Sequence, residues 1–217
     1  MVTKTAGPVG GLARATCGIL AAFVLVSVAA EVAAWHMYQV ELAPLGPHQP
    51  DDGEFGPRMI ANMWFGNLSG SCGAAFLAAV LLFIAWLANM RSRADVLWPE
   101  GQRRHSAWLI FGWLIPIGRL FIPKMYVNDL WAAAQPDLRR RRGHPLLAVW
   151  WLSVLAAGHW AVAPSAVERA ATSQDVCRAL QKVMLSDGLW IVAAALTIGV
   201  VWRLSGMLEP TVRAVPG

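Results

Sequence analysis

Four apolar runs, at 15–35, 71–90, 146–163 and 189–204, are separated by stretches rich in charged and helix-breaking residues. Each approaches the ~20 residues that carry a helix across a hydrocarbon core of about 30 Å. A fifth apolar stretch, 106–123, reads SAWLIFGWLIPIGRLFIP and is interrupted by Pro116, Gly118 and Arg119 before Pro123 closes it. Proline removes a backbone donor and clashes with the preceding turn, so this stretch is predicted to be re-entrant or interfacial and not to cross. Residues 124–134 follow as a short surface helix, with Met125, Leu130 and Trp131 turned toward the membrane. The predicted class is an all-α membrane protein with four transmembrane helices, forming one helical domain over 1–217.

The connecting stretches complete this plan. Residues 36–65 hold Pro44, Gly46, Pro47, Pro50, Gly53, Gly56 and Pro57, which predicts an outer loop. A second outer loop spans 164–187, where interleaved apolar and charged residues predict a surface helix over 167–184. Residues 91–145 form the region facing the cytoplasm. On the second span Gly66, Gly70, Ala74 and Ala78 recur every four residues. That makes one smooth face, suited to close packing within the chain or, as the alternative, to association of two copies.

Composition and charge settle the class and orient the helices. The chain is 57% hydrophobic and 14% charged over 217 residues, far from the balance of a soluble domain, and its twelve Trp suit the membrane–water interface. The net charge of +5 is read as a topology signal, since Arg residues flank apolar runs and no nucleic-acid-binding motif is present. Four crossings with both termini inside place all eighteen Lys and Arg on the cytoplasmic side except Arg58, Arg169, Arg178 and Lys182. Five crossings would divide them almost evenly, against the positive-inside rule. A multi-pass protein of the cell membrane with both termini cytoplasmic is the expectation. The competing reading, a signal peptide cleaved near Ser27-Val28-Ala29, is disfavoured because the apolar run continues past it.

From Trp86 to Trp151 the chain resembles an actinobacterial family of integral membrane proteins known only as a domain of unknown function. The resemblance rests on Trp86-Leu87, Arg91, Leu97, Gly112-Trp113-Leu114-Ile115-Pro116, Leu120, Pro123, Asp129-Leu130-Trp131 and Trp150-Trp151. It implies a helical membrane fold and brings no established activity. The family pattern has Asn where this chain has Arg93 and Arg119, so no shared polar site is carried over to those two positions.

Candidate chemistry is sparse. Glycine-rich phosphate loops, closely spaced metal ligands and nucleophile elbows are absent from the sequence. Glu31 and His159 stand out because ionisable groups inside a span are costly and tend to have partners. Each lies about four residues from the outer end of its run, so a pairing of the two is expected, as a fastening between helices or a proton-responsive site. His36 is read as interfacial. Arg139, Arg140, Arg141 and Arg142 form a basic run suited to anionic lipid headgroups, at about 1 kcal/mol per residue. Cys72 and Cys177 both fall toward the outer side, where a disulfide is chemically permitted. No cofactor or metal is expected. The reading is a non-enzymatic accessory or interaction protein, whose partners are the bilayer, its anionic headgroups and a second copy or another membrane protein. The alternatives are a subunit of an oligomeric small transporter or channel, and a lipid-modifying enzyme.

Overall fold

The computed structural model describes residues 9–43, 56–101, 118–135 and 143–213. All regular structure among them is helical: α1 (Val9–Leu42), α2 (Pro57–Leu97), α3 (Gly118–Ala133), α4 (Pro145–His159), α5 (Ser165–Glu168) and α6 (Ser173–Arg213), with a 3-10 turn at Pro99–Gly101. Three of these, α1, α2 and α6, are long and apolar enough to cross a membrane. The helix on the third predicted span, α4, has 15 residues. At about 1.5 Å per residue that is roughly 22 Å, short of a hydrocarbon core of about 30 Å. Beyond His159 the chain leaves helical geometry and meets Pro164. Where four spans were expected, the structure holds three of spanning length and one shorter apolar helix.

The long helices also overrun their predicted limits. α1 continues to Leu42, α2 begins at Pro57, and α6 begins at Ser173, so the described parts of both predicted outer loops are largely helical. Apolar faces extend past the membrane-length runs and find partners there, which lets helical geometry persist. Pro57 and Pro145 occupy the first positions of α2 and α4, where a missing N–H costs nothing. α6 is capped reciprocally: the Thr172 hydroxyl donates to Asp175 Oδ2 at 2.7 Å and accepts the Asp175 N–H at 3.2 Å. From Ser173 onward the surface helix expected over 167–184 and the last span are thus one 41-residue element, while Val167 and Glu168 belong to α5.

The chain divides into two compact units. The first draws on Met1–Leu20, Ala78–Leu152 and Leu196–Gly217, the second on Ala21–Leu77 and Ser153–Ala195. α1, α2, α4 and α6 each contribute to both, whereas α3 belongs wholly to the first. The chain therefore enters the region between α2 and α4 and leaves it in the same unit. Residues 102–117 and 136–142, including Gly112, Trp113, Pro116 and Arg139 to Arg142, lie outside the described residues.

The expected break between a re-entrant segment and a surface helix at 123/124 is absent, because α3 runs through Pro123. Proline there removes one backbone bond near the helix start. In the same turn the Trp151 indole N–H donates to the Leu120 carbonyl at 2.9 Å. One face of α3 packs into the protein, with Ile122, Tyr126, Val127, Leu130, Trp131 and Ala133 buried, while Leu120, Phe121 and Asn128 are exposed.

The core of the first unit is aromatic. Trp86 and Trp150 are at most 1% exposed and pack against Phe83. Their indole N–H groups donate to Ser205 Oγ at 3.1 Å and Thr197 Oγ1 at 2.9 Å, tying α2 and α4 to α6. In the second unit Phe23 meets Phe76, Ser27 meets Cys72, and Glu41 meets Arg58, so α1 and α2 run antiparallel. Toward that end of α1 an apolar cluster forms from Ala34 and Met37, Ala61 and Phe65 of α2, Val167 of α5, and Leu180 and Val183 of α6.

Replacing Ser205 with Ala removes the acceptor of a buried indole N–H. Unfolding in mixed micelles is expected to show a loss of about 1 kcal/mol, near the upper range for interhelical bonds in membranes. Combining it with Trp86→Phe should cost less than the two changes summed, because the second change deletes the stranded donor.

Candidate functional site

Motif residues and isolated intramembrane polar residues are the two sets that sequence reasoning singles out, and they fall in different units. The motif residues Trp86, Trp131, Trp150 and Trp151 are buried in the first unit, as are Leu87 and Leu130 beside them. Arg91, 7% exposed, places its guanidinium 5.6 Å from the Tyr126 ring centre and its Nε 3.2 Å from Asp95 Oδ1. Arg93, 8% exposed, donates from Nε to Asn89 Oδ1 at 3.1 Å. Asp129 is partly buried and engaged with its surroundings. Arg203 of α6 lies over Trp131, 5.7 Å from its ring centre. The motif thus builds a core closed by cation–π contacts and an ion pair, which explains it without assigning it a reaction.

The polar residues of the second unit gather at one level. Ser27, 2% exposed on α1, donates its hydroxyl to Cys72 Sγ of α2 at 3.8 Å. One turn further along α1, the partly buried Glu31 faces α6, where the Asp187 carboxyl acts on it electrostatically and the Gly188 backbone lies beside it. Asp187 also acts on Cys72. The Glu31 Oε1 atom and the Ser69 hydroxyl are enclosed without a hydrogen-bond partner. Three helices therefore bring two carboxyl groups, a hydroxyl and a thiol together inside apolar surroundings. Such an arrangement can hold protons or water, and it contains no group of His, Cys, Asp and Glu suited to a metal among the described residues.

The expected pairing of Glu31 with His159 does not form among the described contacts. His159 is exposed at the end of α4 and packs edge-on against Trp160, with ring centres 5.1 Å apart. The residue that sequence reasoning missed is Asp187. It stands next to Gly188 in a stretch that reads as the end of a loop, whereas α6 runs through it unbroken. A carboxylate within one turn of a charge-free apolar run was the available signal. His36 is exposed.

The three cysteines are free, so no Cys72–Cys177 bridge exists. Cys72 lies level with Ser27, and the Glu41 carboxylate acts on Cys177. Those α1 positions are roughly 21 Å apart at about 1.5 Å per residue, while bridged Cα atoms lie within about 7 Å.

If Glu31 and Asp187 act on each other, Glu31→Gln and Asp187→Asn will be non-additive in unfolding experiments, with a coupling on the order of 0.5 kcal/mol or more. His159→Asn combined with Glu31→Gln should add within about 0.5 kcal/mol. Coupling to His159 and not to Asp187 would reverse the assignment.

No curated protein and no solved structure gives a match to this chain. A family model described as Domain of unknown function (DUF4328) matches residues 57–206, well over half of the sequence and the part that carries both the aromatic core and Asp187. The chain belongs to the DUF4328 family, a domain of unknown function borne on apolar, membrane-length helices.

Proposed function

We propose that this protein is a non-enzymatic accessory or interaction protein of the cell membrane that works by helix association within the bilayer. The observation that supports it is the outer face of α2. Gly66, Gly70, Gly73 and Ala74 are exposed, and a Cβ placed on any of these three glycines meets nothing within 4 Å. The small-residue face, expected to pack within the chain, is left open to a partner. Asn67 and Ser71 are exposed on the same stretch of helix, and the Ser71 hydroxyl is satisfied by the Asn67 carbonyl at 2.9 Å. The Asn67 carboxamide, both donor and acceptor, is suited to a bond across a helix pair, as small residues permit close approach there.

In this reading a second copy or another membrane protein seats on α2. Four helices cross, both termini and the 91–145 region face the cytoplasm, and the basic run Arg139 to Arg142 meets anionic headgroups. The confinement of α3 to one unit supports a non-crossing central region. A second reading, a subunit of an oligomeric small transporter or channel, draws support from Glu31 and Asp187 at one level in the second unit.

Replacing Gly66 and Gly70 together with Leu should leave the fold intact, since the added atoms meet open space. Association in liposomes, followed by energy transfer between labelled chains or with a captured partner, is expected to fall at least about tenfold, or roughly 1.4 kcal/mol. Unchanged association would remove α2 as the contact. In a cysteine-free background, Val96→Cys and Gly143→Cys should react alike with an impermeant thiol reagent and be shielded from outside. Labelling of one alone would overturn the four-crossing arrangement.

A further inference from the structure

His144 sits at a junction that the family pattern and the proposed association leave unexplained. It immediately precedes Pro145, the first residue of α4. Its Nδ1 accepts the backbone N–H of Leu146 at 3.1 Å, and its carbonyl accepts the N–H of Leu147 at 3.0 Å. This is the geometry of an N-cap, in which a side-chain acceptor satisfies the N–H of the second helical residue while proline fills the first. Ser, Thr, Asp and Asn ordinarily serve there, and none of them loses its acceptor on mild acidification. Histidine does, because an imidazolium carries a proton on both ring nitrogens. The bond to Leu146 and a protonated His144 are therefore mutually exclusive.

We infer that His144 is a proton-sensitive cap on α4, holding the helix start closed when neutral and releasing it when protonated. The surroundings act in the same direction. A positive charge at a helix N-terminus opposes the helix dipole. α3 presents the Trp131 ring, 4.5 Å centre to centre from the imidazole, and α6 presents Arg203 over that same ring. Asp129 lies two residues before Trp131, on a different side of α3. Arg139 to Arg142 precede His144 in the chain and add only positive charge. An imidazolium would gain attraction from the Trp131 face, but it would share that ring with a cation already in place. The turn that is released leads into Leu147, Trp150 and Trp151, whose contacts with α6 and α3 close the core of the first unit. Acidification on the side that bathes His144 would thus loosen α4 where it enters that core.

Amide hydrogen exchange, read by NMR on the full chain in detergent micelles and corrected for intrinsic rates, tests this. Between about pH 8 and about pH 5, where imidazole side chains gain their proton, protection at Leu146 and Leu147 should fall roughly five-fold. His144→Asn supplies a cap that does not titrate and should stay protected at both values. His144→Ala should be unprotected at both. Protection in the unaltered protein that does not change with pH would overturn the inference. So would a pH response surviving in His144→Asn, or full protection at about pH 8 in His144→Ala.

Discussion

An indole N–H buried among apolar side chains must find an acceptor, and in the first unit that requirement decides which helices meet. Trp86, Trp150 and Trp151 each bring a large ring and one obligatory donor. The acceptors are Ser205, Thr197 and the Leu120 carbonyl, on α6, α6 and α3. Lipid tails are as apolar as the rings, so burial alone would not select one packing over another in a bilayer. The three donors do select. Each fixes a rotation and a depth for the helix that carries it, because the ring fits only where its acceptor lies.

The second unit is organised differently, around helix continuation. α1 and α2 have 34 and 41 residues, roughly 51 and 61 Å at about 1.5 Å per residue, against a hydrocarbon core of about 30 Å. Part of their length must lie beyond the hydrocarbon. There the Ala34, Met37, Ala61, Phe65 and Leu180 cluster supplies a small core of its own. Tyr38 accepts a bond from Gln181 Nε2 at 3.1 Å, and Arg58 approaches Glu41 at 3.8 Å. These contacts explain why Pro- and Gly-rich flanks do not end the helices sooner. Exposed Trp35, Trp64 and Trp160 all belong to this unit, consistent with rings at a membrane interface.

The helical class and three of the membrane-length runs were legible because hydrophobic runs near 20 residues have few other uses. Two kinds of feature were not. Element boundaries depended on partners distant in sequence: the helix over 173–188 is held by contacts with α1 that no local pattern announces, so a capped surface helix and a span read as separate elements. Pairing was equally hidden. Glu31 and His159 share a distance from the ends of their runs, but depth alone leaves rotation free. The face of α1 that bears Glu31 turns to α6 because Ser27, Ala30, Ala34 and Met37 on that same side are buried.

Pro123 and Trp151 show how a motif can be physical before it is functional. A proline within a helix leaves a carbonyl one turn back without its usual donor and strains the neighbouring bond. In water that loss is made good by solvent, but inside an apolar core it must be answered by the protein. Trp151 donates from another helix to the Leu120 carbonyl, next to the Arg119 carbonyl that Pro123 leaves without its donor. That contact positions the second tryptophan, and the first, Trp150, is turned to Thr197 on α6. Adjacent residues on a helix point about 100° apart. A Trp-Trp pair is thus the shortest sequence that can bind two different neighbours from one turn of α4.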